Sequence, residues 1–395
     1  MTDILSGITV LDLTRVLAGP YATMLMADLG AVVIKVENPK GGDEARGFGP
    51  FVNGVSGYFA SVNRGKRGIT LDLKRPRGRE IFLGLVGKAD VLVENFRPRT
   101  MERLGIGYET LSAVNPRLVY AALSGFGRTG PRANEAAYDM IIQGMSGIMS
   151  LTGEPGGKPV RVGTSIGDLS AALFGVIAIS LALYRRERTG QGALVDIAML
   201  DSLFSLLENA VMRTGVEGVP PRPLGTRHST IAPFDVFATR DGPLVLACGN
   251  EALWGRFVNA VGRPDLLEDG RFSTNRLRSE NVDALTGVIN GILSEKTTAE
   301  WLLVLKAAEV PAGPLLDVSD AMRDPQITAR GMIHRVAQAG AGTITAAGNP
   351  IRIDDEVPWP SVGAPALGEH TDEVLSEILG MTTDEIEGLR REGVI

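Results

Sequence analysis

The segment Gly163-Thr164-Ser165-Ile166-Gly167-Asp168 sets a hydroxyl and a carboxylate close together behind a turn of small residues, so more than one covalent chemistry is open to it. Gly163 to Gly167 matches GxSxG, the nucleophile-elbow pattern in which a serine is displayed on a sharp turn between a strand and a helix. A hydrolase triad on Ser165 needs a later acid and a later histidine; His228, His334 and His370 satisfy that order, but an upstream HGGG-like oxyanion segment is absent. Asp168 follows the turn and opens an apolar helical run. Its structural reading is a helix N-cap, since aspartate satisfies free N–H groups there and suits the positive helix end. Its chemical reading is a carboxylate presented at the C-terminal edge of a parallel sheet, where open α/β folds bind ligands. From the residues alone, hydrolase nucleophile, transferring carboxylate and simple cap all stay open.

Other chemistries have weaker support. The three histidines are far apart in sequence and Cys248 is the single cysteine, so no metal site and no disulfide framework is expected. There is no GxxxxGK[ST] phosphate loop, and Val16-Leu17-Ala18-Gly19-Pro20 lacks the glycines of a dinucleotide turn even though the next strand ends in Glu37. The cations are grouped: Arg64, Lys66 and Arg67 precede a predicted strand, Lys74 follows it, and Arg97, Arg99 and Arg103 follow Val91 to Asn95. Coenzyme A carries about four negative charges, which such clusters at strand ends could neutralise; the alternative is an ordinary solvated surface.

The elements that must position these residues read as α/β, because short β-branched runs alternate with helical patterns. Strands are expected at Ile8–Leu13, Ala31–Glu37, Ile69–Leu73, Val91–Val93, Leu118–Leu123 and Leu194–Ala198, with a strand at Arg161–Gly163 implied by the elbow reading. Helices are expected at Pro20–Leu29, Leu169–Arg186 and Asp201–Met212. Glycines and prolines from Gly215 to Pro223 mark a linker, set at 201–225. Beyond it, Phe234–Phe237 and Leu244–Cys248 bracket an Arg240-Asp241-Gly242 hairpin turn and open a smaller domain. Thr382 and Glu385 are spaced as a capping box.

With 395 residues, 44% hydrophobic and 22% charged, the chain can fill two cores, and a net charge of −6 gives no bulk attraction for nucleic acid. The longest uncharged stretch, Leu169 to Tyr184, is short for a membrane span and reads as a buried helix. No secretory leader pattern opens the sequence, and a cytoplasmic location is expected.

A longer pattern runs through Gly7-Ile8-Thr9-Val10-Leu11-Asp12, Ala18-Gly19-Pro20, Gly30-Ala31-Val32-Val33-Ile34-Lys35-Val36-Glu37 and Asn63-Arg64-Gly65-Lys66-Arg67. It continues in Ala89 to Pro98, Asn115-Pro116-Arg117, Thr189-Gly190-Gln191-Gly192 and Leu367-Gly368-Glu369-His370-Thr371. In these segments the chain resembles the class III CoA-transferases, the family of formyl-CoA transferase and the carnitine CoA-transferases. The resemblance implies that Asp168 is the acyl-transferring carboxylate and that CoA or acyl-CoA is a substrate, with no tightly bound cofactor. It implies CoA contacts at Leu17, Ala18, Leu71, Lys74, Asn95, Phe96, Arg97 and Arg103, with Tyr138 near the reacting end and Asn38 where relatives often carry a cation beside the adenine. It also implies an interlocked homodimer whose Rossmann-like large domain is built from both chain ends (1–200 and 326–395), with a small domain at 226–325 and active sites drawing on both subunits.

Two finer readings attach to the resemblance. The α-methylacyl-CoA racemases of the same family use a histidine where this chain has Tyr138, in Ala136-Ala137-Tyr138-Asp139, which disfavours proton exchange. Gly225-Thr226-Arg227-His228 with Ile231-Ala232-Pro233 looks like the branch that takes CoA from succinyl-CoA to dicarboxylates, with Arg227 and His228 holding a remote carboxylate. Gly249-Asn250 is the candidate for the glycine loop that covers the site in many relatives.

Overall fold

The computed structural model describes residues 4–355, 359 and 362–395, which divide into two compact units. The first comprises residues up to 149, 161–219 and 325–395; the second comprises 150–160 and 220–324. Residues 150–160 thus belong to the second unit, which no composition shift in the sequence had announced.

The first unit is built on eight strands in its N-terminal half: β1 (Thr9–Asp12), β2 (Val32–Glu37), β3 (Phe51–Val52), β4 (Val55–Ser56), β5 (Arg67–Thr70), β6 (Val91–Glu94), β7 (Val119–Ser124) and β8 (Ala193–Ala198). Six of them form a parallel sheet in the order β5-β2-β1-β6-β7-β8, while β3 and β4 make a separate hairpin. The order reverses between β1 and β6, so the loops leaving these two strands diverge and open a crevice at the C-terminal edge of the sheet.

Helices α1 (Ala18–Asp28), α2 (Gly57–Asn63), α3 (Pro76–Val86), α4 (Thr100–Arg103), α5 (Tyr108–Val114), α6 (Asp139–Ser146), α7 (Ile166–Thr189), α8 (Met199–Ser205) and α9 (Glu208–Glu217) accompany the strands. Strand residues alternate between faces, so the sheet has two cores. Leu11, Ile34, Ile69, Leu92 and Tyr120 pack with Phe82 and Leu85 of α3. Val10, Val33, Val93 and Ala121 pack with Met24 and Leu25 of α1 and Val176 and Ile179 of α7. Val374, Leu375, Ile386 and Leu389, from the far end of the chain, complete the first core, so this unit draws on both chain termini.

Several expectations need correction. The strand expected at Ile69–Leu73 is Arg67–Thr70, because Asp72 already accepts the Arg75 amide in a turn. No strand forms at 161–163, and the expected helix from Asp201 divides at Leu206–Leu207, with α9 running into the expected linker. The Leu169–Tyr184 stretch is only half buried: α7 presses Ala172, Val176 and Ile179 on the sheet and leaves Leu173, Ile177, Leu181 and Tyr184 exposed. By length and composition alone α7 could cross a membrane, but half of its most apolar window is covered within this unit. Its end is as expected, with Arg186 and Arg188 in the last turn and Gly190 left-handed at φ 72°.

In the second unit β9 (Phe234–Ala238), β10 (Pro243–Ala247) and β11 (Ala312–Pro314) form an antiparallel sheet, with the Arg240-Asp241-Gly242 turn between the first two. Helices α10 (Glu251–Ala260), α11 (Asn275–Glu280), α12 (Val282–Leu293), α13 (Thr298–Ala307) and α14 (Val318–Ala321) follow. Trp254, Phe257, Ile289 and Trp301 make the core, and Asn250 of the expected glycine loop caps α10 by accepting the Leu253 amide. The chain returns to the first unit through α15 (Pro325–Ala329), a hairpin of β12 (Ile333–Gln338) and β13 (Gly342–Ala347), α16 (Thr371–Leu379) and α17 (Thr383–Arg391). The capping box of Thr382 and Glu385 is formed.

Candidate active site

Asp168 is not the helix cap. Ser165 occupies that position without a side-chain cap bond, and Asp168 sits in the first turn of α7, one residue past Gly167. The turn is stitched to α6. Asp139 Oδ1 accepts the Gly167 amide at 2.8 Å, Gln143 Nε2 donates to Asp139 Oδ2 at 2.7 Å, and Gln143 Oε1 accepts the Val162 amide at 2.8 Å. A Cβ on Gly167 would fall 3.0 Å from Asp139 Oδ1 and 3.2 Å from Ile142 Cγ2, so this close approach of α6 requires glycine. The Gly167 amide is therefore occupied and is not free to face an oxyanion. No cation forms an ion pair with Asp168 among the described residues. Burial, and then the negative charge of Asp139, pushes the Asp168 carboxyl up to about 7.

The GxSxG reading loses its geometry here. No strand leads into Ser165, and the histidines have other partners: His370 Nδ1 accepts the Gly68 amide, His228 Nδ1 accepts the Thr230 amide and His334 stacks on Trp359. None is hydrogen-bonded to Ser165 among the described residues.

Opposite Asp168, the turn after β1 is held by buried charge. Lys66 Nζ lies 2.8 Å from Asp12 Oδ2, and also donates to Asn63 Oδ1 and the Pro20 carbonyl. Lys35 Nζ donates to the Thr14 carbonyl at 2.8 Å and lies 3.0 Å from Asp43 Oδ2. Asp43 Oδ1 in turn accepts the Val16 amide at 3.1 Å. Burial favours a protonated Asp12, but the charges of Lys66 and Lys35 outweigh it and hold that carboxyl well below the usual carboxylate range. The network keeps Val16 at φ 65°, a left-handed conformation costing a β-branched residue about 1–3 kcal/mol. Gly19 is needed just beyond, because a Cβ there would meet Thr14 Cγ2 at 2.3 Å.

The loop after β6 forms the neighbouring wall. Glu94 Oε2 accepts the Phe96 amide at 2.9 Å and the Tyr120 hydroxyl donates to Oε1 at 3.3 Å, while burial pushes Glu94 up to about 7. Asn95 bridges to the first loop, its Oδ1 accepting the Arg15 amide and its Nδ2 donating to the Arg15 carbonyl, both at 2.8 Å. The Arg15 guanidinium lies 4.7 Å from the centre of the Phe96 ring.

These walls enclose a cavity of about 200 Å³ that brings Leu17, Ala18, Asn95, Phe96, Arg97 and Tyr138 together with Asp168. Tyr138 stands at its rim, 67% exposed, immediately before α6. A second cavity of about 140 Å³ contains Asn38, Leu71, Lys74 and, again, Phe96. Arg103 lines neither; its guanidinium donates to the Pro98 carbonyl and Thr100 Oγ1 and braces the segment beside them. Arg227 and His228 lie in the second unit, where Arg227 Nη1 is 3.6 Å from Asp283 and His228 packs on Phe234. Sequence reasoning missed Arg15, Asp43 and the positioning part of Asp139. Only Arg15 carried a signal, a cation two residues past the strand expected at Ile8–Leu13.

Known proteins resemble this chain in sequence and in fold. The sequence model of CoA-transferase family III matches residues 5–371. The chain is 48% identical over 365 residues to the acetyl-CoA:oxalate CoA-transferase of Acetobacter aceti, covering 92% of each chain. It is 44% identical to the succinyl-CoA:mesaconate CoA-transferase of Haloarcula hispanica, covering 97% of this chain and 98% of that one. The crystal structure of a CAIB/BAIF family protein from Brucella suis superposes with a TM-score of 0.83 at 40% identity, covering 95% of this chain and 99% of that one. With a family match along nearly its whole length and relatives of this similarity, the chain belongs to CoA-transferase family III.

Proposed function

We propose that the protein moves CoA from succinyl-CoA to another dicarboxylic acid through a covalent intermediate on Asp168. The observation that carries this reading is the Asp168 carboxylate itself: it lines the crevice without a cationic partner, and burial lifts it to about 7. Once ionised, so basic a carboxylate is a better nucleophile than a solvated one. Oxalate and mesaconate, named for two relatives, are both dicarboxylates, and succinyl-CoA is the donor named for the second.

In the proposed sequence an Asp168 oxygen attacks the donor thioester carbonyl, the C–S bond breaks, and CoA thiolate leaves a mixed anhydride. The thiolate then attacks the aspartyl carbonyl, which releases the donor acid as its carboxylate and leaves an aspartyl-CoA thioester. The acceptor carboxylate attacks that carbonyl, expels the thiolate again and forms a second anhydride. A final thiolate attack on the acceptor's acyl carbon gives the new acyl-CoA and regenerates the Asp168 carboxylate. Every step exchanges one acyl bond for another, so no ATP is required.

Lys74, Arg97 and Arg103 are the proposed partners of the CoA phosphates, and Asn38 and Leu71 those of the adenosine end. Leu17, Ala18, Asn95 and Phe96 would guide the pantetheine arm, with Tyr138 beside the thioester. A homodimer, interlocked as in the family, is also proposed; the exposed Leu173, Ile177, Leu181 and Tyr184 stripe of α7 supports it, and a monomeric mass in solution would count against it.

Mass spectrometry of the protein incubated with succinyl-CoA, with and without hydroxylamine, tests the covalent step. A hydroxylamine-sensitive adduct that disappears in Asp168→Ala and persists in Ser165→Ala is the expected result. Loss only in Ser165→Ala would refute it.

A further inference from the structure

A third cavity, of about 410 Å³, lies in the same unit against the turn that carries Asp168. Leu17 is a wall of both this cavity and the crevice, and Ser165 and Leu169 line it from either side of Asp168 in sequence. Its remaining walls come from the segment 161–164 that leads into α7, from α1, the α2 region, and Ala347 and Gly348. Tyr58 projects into it; burial and then the nearby charge of Asp168 push the phenol up, which puts this hydroxyl within electrostatic reach of the reacting carboxylate.

Two cations line this cavity, and they differ in what they are free to do. Arg64 is buried and committed, with Nε and Nη2 donating to the two Asp28 oxygens at 3.0 and 2.6 Å and its guanidinium stacked on Trp359. Arg161 is exposed, and among the described residues its one ion pair is with Asp139 at 3.8 Å, the loose edge of such a contact. Asp139 Oδ2 is already satisfied by Gln143 at 2.7 Å. The cavity therefore offers one exposed guanidinium held only by a long ion pair, hydroxyls from Tyr58, Ser61 and Ser165, and an apolar wall of Leu17, Met24 and Leu169. That composition suits a short aliphatic chain ending in an anion.

We propose that this cavity is the subsite for the remote carboxylate of the dicarboxylic acid, with Arg161 as its ion partner and Tyr58 as a hydroxyl donor. The inference rests on the dicarboxylate reading above. It moves the anion-binding role expected of Arg227 to a residue on the segment that leads into α7. Arrangement of the two carboxylates then follows: one end of the acid faces Asp168 across Leu17, and the other is held at Arg161.

The test compares Arg161→Gln, Tyr58→Phe and Arg227→Gln with a five-carbon dicarboxylate and the monocarboxylate of equal length as acceptors. Arg161→Gln should raise KM for the dicarboxylate by about 10- to 100-fold, with kcat and the monocarboxylate KM little changed, since a charge-assisted pair is lost from binding and not from the reaction. Tyr58→Phe should raise the same KM by a few fold. An unchanged dicarboxylate KM in Arg161→Gln, an equal rise for both acids, or a rise confined to Arg227→Gln overturns the proposal. The hydroxylamine-sensitive adduct separates the two readings: if it forms on Asp168 while Arg161→Gln leaves KM unchanged, the subsite is wrong and the covalent chemistry stands. Absence of the adduct in the unaltered protein removes both.

Discussion

Replacing Asp168 with asparagine should make the unliganded protein more stable at alkaline pH while abolishing transfer. The folded state raises this carboxyl from an ordinary 3.8 to about 7, burial being the larger cause and the Asp139 charge the smaller. A folded state that holds the proton more tightly than the unfolded chain loses stability as pH rises from 3.8, and the loss is complete above about 7. A displacement of that size corresponds to ~4 kcal/mol, and access of water through the crevice reduces it to ~2 kcal/mol. Asparagine keeps the shape and removes the charge. In a unit of this size ~2 kcal/mol is about 3–5 °C in the melting midpoint. Thermal melts of both proteins without CoA, from pH 4 to pH 9, should coincide at the acid end and separate progressively up to pH 8, with Asp168→Asn the higher. Equal midpoints at pH 8, or a difference that does not vary with pH, would refute the claim that Asp168 is held as an unpaired buried carboxyl.

The same group sets a pH dependence for chemistry. The rate of adduct formation from succinyl-CoA under single-turnover conditions should rise with pH and level off above about 7, because in the proposed mechanism only the ionised Asp168 attacks; a rate flat from pH 5 to pH 8 would argue against this. Beneath the opposite wall, Lys66→Met should destabilise the protein by about 3 kcal/mol, since it strands Asp12 as a buried charge. The double variant Asp12→Leu, Lys66→Met should lose less than Lys66→Met alone, and additive losses in chemical denaturation would dismiss the coupling.

The alternation of β-branched runs and helices determined the parallel sheet from sequence alone, because burial on both faces leaves consecutive apolar residues, as in Val91-Leu92-Val93 of β6 and Val119 to Leu123 of β7. Long matching segments did the same for the family, and the capping box at Thr382 was legible because its chemistry is local. The turn before Asp168 left nucleophile and cap both open, and only the family resemblance favoured the transferring role; its place in the first turn of α7 was not legible, because it goes with Asp139, far back in the sequence, accepting the Gly167 amide. The elbow at Ser165 failed for the complementary reason, since no strand forms before it and its histidines are engaged elsewhere. Nothing in the order of residues announced that Asp12, Lys35, Asp43 and Lys66 would meet, that Val16 would be held left-handed by them, or that Arg161 would keep only a long ion pair to Asp139 while Arg64 was taken by Asp28. Local patterns and composition decide which elements form. Which charges are paired, buried or left free depends on groups brought together by the sheet, and that only the tertiary structure decides.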